Sequence, residues 1–311
     1  MALISSYDIV NSPKMEAVLV KIKSLRVSSP NGLCVNVTTP VPLTLLVGLS
    51  GSGKSQILFY IYSLFQLLAG HSIKGLANGE YEMCFILNQK EYRYLVYIND
   101  NYPVIQHLWN SAESSSPTFE ELIPLLNPVK WLTSIPQFRQ TNTITKSYLL
   151  ATKEQTSEIL SIFQSIFDSV EDIKLLHRPK NTLELFFKEK GGSYLEIHKM
   201  SDGMLKTLYY LTEFVLSEPG TLLLVDEFEN GLGLNCMGPL LEEMMGRDDL
   251  QLILSSHHPY VINNVHSHFW RIITRQQDTI EAHTAEELGI GQTEYDSFFE
   301  LINVLSFEGG V

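Results

Sequence analysis

The 311 residues are 44% hydrophobic, enough apolar chain to bury a large core as one domain with room for an inserted lobe. Thirty-five acidic against 22 basic residues give a formal charge of −13, a field that repels DNA and anionic membranes overall; no Lys/Arg run marks a basic patch, so charge leaves nucleic-acid contact open without indicating it. Cys34, Cys84 and Cys236 lie far apart and form no Cys-x-x-Cys pair, which excludes a disulfide frame or zinc site and points to free thiols in a reducing compartment.

The N-terminus, Met1 to Asp8, has no basic region ahead of a long apolar core, so no export signal and a cytoplasmic location are expected. Residues 1–15 read as irregular. Val18–Leu25 and Leu33–Thr38 carry β-branched, partly alternating patterns and read as strands joined by the turn Pro30-Asn31-Gly32. Pro40 and Pro42 lead into Leu43–Val47, a short apolar run expected to be a buried strand. It feeds Gly48-Leu49-Ser50-Gly51-Ser52-Gly53-Lys54-Ser55, the spacing of a phosphate-binding loop. The glycines let successive N–H groups curl toward phosphate oxygens, and a helix starting near Lys54 adds its partial positive charge. Lys54 would reach the β- and γ-phosphates of ATP and the Ser55 hydroxyl would ligate Mg²⁺. Gln56, next in line, is counted with the nucleotide-binding set. Ser55–Ala69 is apolar nearly all round, as suits a helix inside an α/β layer, with Gly70 as its stop. Ile57–Leu68, the longest apolar stretch, is too short to span a bilayer and is broken by Ser63 and Gln66.

Tyr81–Leu87 and Tyr92–Ile98 read as an antiparallel hairpin across Asn88-Gln89-Lys90-Glu91. Ser111–Thr118 reads as a polar loop and Phe119–Leu126 as a short helix stopped at Asn127-Pro128. Thr152-x-x-Gln155 has the form of a capping box. It opens a run with Ile159, Phe163, Ile166, Val170 and Ile173 on one face, expected to pack on its own domain, with a partner-binding face as the alternative. Leu183–Lys188 and Tyr194–His198 make a second hairpin through Gly191-Gly192. Strand–helix alternation, the mark of a parallel sheet, then takes over. Leu205, Leu208, Leu211, Phe214 and Val215 define one helix, and Leu240–Met245 lies in another. Thr221–Val225, Leu250–Leu254 and Phe269–Thr274 read as buried strands, and Gln292–Leu305 as a closing helix.

Chemistry gathers where these strands end. Leu222–Val225 is apolar throughout, so it is buried on both faces and delivers Asp226 and Glu227 at its C-terminal edge, where ligands sit in open α/β sheets. Alone this would be an acidic turn. After a phosphate loop, Asp226 reads as the Mg²⁺ holder, directly or through water, and Glu227 as the base that polarises an attacking water. Upstream, Ser201-Asp202-Gly203 opens a helix. Downstream, Leu252-Ile253-Leu254-Ser255-Ser256-His257-His258-Pro259 is a strand ending in histidine.

That order of five motifs, from Val18 to Asn264, resembles the ATP-binding-cassette (ABC) ATPases. Within them it resembles the soluble SMC/RecF/OLD-like branch, AAA-family ATPases of the OLD type, rather than transporters. The resemblance implies an α/β P-loop NTPase: an ABC-type mixed sheet with an antiparallel β subdomain and a compact, partly helical inserted lobe. It implies a homodimer formed on ATP binding, two ATPs sandwiched head to tail, with Ser201 and the Gly203 N–H touching the γ-phosphate held by the partner. Asp202 and Met204 depart from the transporter signature Leu-Ser-Gly-Gly-Gln. His257, ahead of His258, matches the switch histidine, and Glu229-Asn230-Gly231-Leu232 matches the D-loop that crosses the dimer interface. Gln106 and Gln137 are both eligible as the Q-loop glutamine, Gln89 reading as a hairpin turn. Ile135-Pro136-Gln137-Phe138-Arg139 resembles an Ile-Pro-x-x-Arg element of this branch, which leaves Arg139 structural, phosphate-proximal or paired with an acid. Roughly 145 residues separate Ser55 from Ser201. They carry no sustained heptads, so a compact lobe over 100–180 within a single 1–311 domain is expected in place of long coiled-coil arms. The expected function is Mg²⁺-dependent ATP hydrolysis by a dimerising head. Its setting would be a motor or sensor in DNA repair or anti-phage defence, coupled to a separate nuclease or toxin chain, since no nuclease signature is visible and none has room after Val311. Two alternatives stay open. A transporter's ATP-binding subunit is disfavoured by the altered signature and the long lobe. A small-molecule kinase would need neither the Ser-Asp-Gly turn nor the strand-end histidine.

Overall fold

The computed structural model describes residues 20–30, 34–39, 42–110, 118–122, 129–132, 137–178, 182–290 and 299–303. An 11-stranded sheet and a separate three-stranded sheet organise them. The N-terminal part is antiparallel: β1 (Val20–Ser28) pairs with β2 (Cys34–Thr38) on one side and with β4 (Gly79–Leu87) on the other, and β5 (Lys90–Asn99) and β6 (Tyr102–Asn110) extend it as a meander. The β4–β5 turn is only Asn88-Gln89, tighter than the four residues expected, and β6, which the sequence reading left unassigned, follows across Asp100-Asn101. All four turn residues have positive φ, 50° to 64°, as two-residue hairpin turns require.

The parallel part centres on β3 (Leu43–Val47). β12 (Gln251–Ser255), β11 (Leu222–Val225) and β7 (Val129–Leu132) follow on one side; β13 (Trp270–Gln276) lies on the other, then β14 (Thr279–His283), which runs antiparallel to β13 and parallel to β2 and so joins the two parts. Every residue of β3, β11 and β12 is buried. Their side chains divide between two cores. Leu43, Leu45, Val47, Leu223, Val225, Leu252 and Leu254 face α5 (Asp202–Val215) and α6 (Leu234–Met245), while Leu46, Leu222, Leu224 and Ile253 face α1 (Lys54–Leu68). An all-apolar strand is stable only when both faces are covered this way. Strands β7 and β14 escaped the sequence reading because Val-Lys-Trp-Leu and Thr-Ile-Glu-Ala-His are too short and mixed to show a period.

Within 100–180, β6 and β7 belong to the main sheet. Standing outside it are α3 (Gln137–Leu150), α4 (Lys153–Ile166) and the small antiparallel sheet of β8 (Val170–His177), β9 (Leu183–Glu189) and β10 (Tyr194–Glu196), with α3 and α4 packed on α5. α2 (Phe119–Leu122) covers the start of the predicted helix; residues 123–128, its remainder and stop, lie outside the described set. The Thr152/Gln155 capping box forms with both of its bonds. Its helix, however, ends at Ile166, and Val170 and Ile173 are buried from a strand instead. Asp168-Ser169 breaks the helix, and β-branched Val170 suits the pleat. α7 (Pro259–Asn264) follows β12. Of the predicted closing helix, 299–303 is helical, and 292–298 with 304–305 lies outside the described residues, as do the turn residues Asn31-Gly32 and the Ile135-Pro136 pair. Among the described residues no helix is long and apolar enough to cross a membrane.

Candidate functional site

Strand β3 ends at Val47, and the loop after it is shaped by three glycines with positive φ: Gly48 at 153°, Gly51 at 82° and Gly53 at 106°. At Gly48 a Cβ would lie 2.4 Å from the Ile273 carbonyl oxygen, and at Gly53 2.5 Å from Ile280 Cδ1. Only glycine fits either position. Gly53 is the N-cap of α1 and gives that helix no side-chain cap, so the first-turn N–H groups keep their capacity for an anion. Lys54 is buried, its Nζ donating to the carbonyls of Gly48 at 2.8 Å and Leu49 at 2.9 Å. Burial holds its ammonium below the ordinary lysine range, against the pull of Glu229, Asp226 and Glu227. The buried Ser52 Oγ has no hydrogen-bond partner. Ser50 and Gly51 are exposed, as is Leu49, and Gln56 donates to the Tyr60 hydroxyl along α1.

β11 delivers Asp226 to the same corner. Asp226 Oδ1 accepts from Ser55 Oγ at 2.9 Å and from Ser255 Oγ at 2.6 Å. The Ser255 hydroxyl in turn accepts the Glu227 N–H at 2.8 Å, and the Asp226 N–H donates to the Leu132 carbonyl of β7. Glu227 sits at φ 47°, a conformation that costs a non-glycine residue about 1–3 kcal/mol and persists only where neighbours hold it. Ser255 holds its N–H, and Asn230 Nδ2 donates to its Oε2 at 3.1 Å.

The two histidines after β12 divide their roles. His258 Nδ1 accepts the Tyr260 N–H and caps α7. His257 has a side chain 61% exposed, and its backbone N–H and Nδ1 both lie 2.9 Å from Glu229 Oε1. Glu229 is therefore turned inward, only 8% exposed, although its sequence position suggested a loop residue facing a neighbour.

Among the described residues, the contacts of Ser201 and Gly203 run to α5 and to the segment after β11. Ser201 is exposed and caps α5, its Oγ accepting the Met204 N–H at 3.3 Å, and a Cβ at Gly203 would find Gly233 N at 3.6 Å and Gly231 O at 3.7 Å. Two further contacts tie α5 to the segment after β11: buried Lys206 donates from Nζ to the Asn230 carbonyl, and the Tyr210 ring stacks on Phe228 with centroids 6.0 Å apart. Gln106 lies on β6, the far edge of the sheet, where its Oε1 accepts from the Tyr94 hydroxyl. Gln137 and Arg139 stand in the first turn of α3, which follows β7 at the Asp226 end of the sheet. Ser255, Lys206 and the inward Glu229 were missed from sequence. The available signals were a serine closing an apolar strand and a lysine within an apolar helix.

The donor set suits a hard cation and a polyphosphate. A serine hydroxyl and a carboxylate meet at 2.9 Å, and Mg²⁺ characteristically takes one or two such protein ligands plus phosphate oxygens. Among the described residues no group of three His, Cys, Asp or Glu side chains forms a fuller cage. The glycine cradle, the buried lysine and the orphaned Ser52 hydroxyl suit phosphate oxygens in the same way.

A glycine cradle after β3, an acidic pair after β11, a histidine after β12 and an antiparallel subdomain fit a P-loop fold of the ABC type. Residues 124–263 match the family model described as "AAA domain, putative AbiEii toxin, Type IV TA system". The fold is similar to an SMC head solved in complex with the C-terminal winged-helix domain of ScpA (TM-score 0.61, 14% identity, covering 85% of this chain and 98% of that one). It is also similar to the SMC head domain of Thermotoga maritima (TM-score 0.55, 14% identity, the same coverages). No curated protein matches the sequence. The family match over residues 124–263 and the fold together support an ABC/SMC-like P-loop ATPase.

Proposed function

We propose that the chain is a Mg²⁺-dependent ATP hydrolase. It would be a single ABC-type domain carrying a lobe built on α3, α4 and the small sheet, and it would dimerise on ATP. Gly48, Leu49, Ser50, Gly51, Ser52, Gly53, Lys54, Ser55 and Gln56 hold the nucleotide; Ser55 and Asp226 hold the metal. When bound, Mg²⁺ neutralises charge on the β- and γ-phosphates. Glu227 takes a proton from the water that attacks the γ-phosphorus as the bond to the leaving ADP oxygen breaks. His257 steadies that water or the γ-phosphate, and Ser201 with the Gly203 N–H completes the site from a second copy. One observation supports the part of this reading that lies within one chain: Asp226 Oδ1 accepts from both Ser55 and Ser255, drawing the loop after β3, the acids after β11 and the histidine end of β12 to one corner.

The output would be a closing and opening cycle passed to a separate effector chain, a nuclease or toxin, in anti-phage defence or DNA repair. The match to a family described by a toxin and a toxin–antitoxin system supports the defence setting, and an SMC head bound to a winged-helix domain is a precedent for a head that engages another protein. Gel filtration of Glu227→Gln with and without ATP tests the reading. Nucleotide binding should persist, turnover should fall about 10²- to 10⁴-fold, and ATP should convert monomer to dimer. A monomer at saturating ATP would overturn the sandwich, and wild-type turnover would overturn the base assignment.

A further inference from the structure

Glu229 is a buried carboxylate that the proposed reaction does not use. Both of its hydrogen bonds run to one residue: Oε1 accepts the His257 backbone N–H at 2.9 Å and lies 2.9 Å from His257 Nδ1. Its other oxygen, Oε2, is buried with no hydrogen-bond partner. A buried carboxylate left half-satisfied is costly, so the contact with His257 has to justify its presence. The oxygen that meets the ring, Oε1, already acts as an acceptor toward the His257 backbone N–H. An ionised carboxylate only accepts hydrogen bonds. The proton on the imidazole must therefore sit on Nδ1, which leaves Nε2 as the nitrogen on the exposed side of the ring.

We propose that Glu229 is a positioning residue that holds His257 in the Nδ1–H form and presents Nε2 outward. Its use in turnover rests on the reading of His257 given above; its effect on the ring does not. The backbone bond fixes where the histidine leaves β12, and the side-chain bond fixes how the ring is turned and protonated. Asn230, the next residue, holds Glu227 Oε2 in the same manner, so two adjacent residues aim the two groups proposed to handle the water.

The test uses nitrogen-15 NMR of the histidine rings in the whole, nucleotide-free protein, at about pH 8, above the ordinary histidine range. His257 is assigned by comparison with His257→Ala. Wild type should show the Nδ1–H tautomer. Glu229→Met, close in volume but without an acceptor, should lose it, and Glu229→Gln, which keeps an acceptor oxygen, should retain it. In turnover, Glu229→Met should lower kcat about 10- to 100-fold, the range found when the outer partner of a metal-ligating histidine is removed. Its KM for ATP should stay within about threefold of wild type, and Glu229→Gln should recover most of the loss. An Nε2–H tautomer in wild type, or an unchanged tautomer in Glu229→Met, overturns the proposal. If Glu229→Met does not fold, the wild-type spectrum alone decides. If the tautomer is as expected but the protein does not hydrolyse ATP, the functional reading fails and the positioning contact stands.

Discussion

Residues 48–55 and residues 201–203 are both glycine-containing turns that open a helix, yet the chain builds them in opposite ways. The first leaves donors unused. All three of its glycines have positive φ, a Cβ at Gly48 or Gly53 would have no room, its lysine is buried against its own loop, a buried serine hydroxyl has no partner, and α1 starts without a side-chain cap. The second is self-sufficient: Ser201 satisfies its own helix and stays exposed, and a Cβ at Gly203 would make only ordinary contacts. A turn with unspent donors inside the chain is suited to a ligand the chain holds itself. A capped turn at the surface is suited to something another molecule brings.

Four substitutions break or sharpen that contrast. Lys54→Ala should weaken ATP binding about 100-fold by calorimetry, the worth of a charge-assisted contact; affinity within threefold of wild type would show that the first turn is not a phosphate site. Gly53→Ala should lower stability by about 1–3 kcal/mol in a urea titration, because its φ of 106° and the 2.5 Å approach to Ile280 Cδ1 both resist a side chain. Gly203→Ala, with its nearest atom at 3.6 Å, should change stability by less than about 1 kcal/mol. Equal losses from the two alanines would erase the difference between the turns. Ser201→Ala should cost about 1 kcal/mol through the lost N-cap and leave ATP affinity at low protein concentration unchanged, while turnover falls. An affinity loss like that of Lys54→Ala would place both turns in one site within one chain.

A pH-dependent effect concerns Lys206, which links the second turn's helix to the acidic segment. Burial pushes its ammonium down to about 8, with Glu229 and Glu227 opposing. In the unfolded chain the group keeps its proton to about pH 10.4. Between about pH 8 and 10 the unfolded state therefore binds more protons, and stability from this group rises with pH. The burial penalty is fully present below about pH 8 and gone above about pH 10. Relative to Lys206→Met, wild type should gain at most about 1.4 kcal/mol per pH unit across that window in thermal melts. A flat difference would mean that Lys206 is not held against its charge.

Much of this was legible in contiguous residues. The β3–α1 boundary at Lys54, the buried strands β11 and β12, the Thr152/Gln155 box and the hairpin β4–β5 all declare themselves through local glycine spacing, apolar runs or capping pairs. The run through Val170 and Ile173 misled, because residues buried from a strand can mimic the next turn of a helix when only spacing is read.

The sequence by itself determined which residues form the glycine cradle, the acidic pair and the histidine strand, since each is specified by neighbours a few positions away. Only the tertiary structure decided who meets whom. Ser55 reaches Asp226 across 171 positions, Ser255 reaches it across 29, and Glu229 turns inward to His257 across 28. Those partnerships depend on which strand ends the parallel sheet sets side by side, and a one-dimensional pattern carries no record of that adjacency.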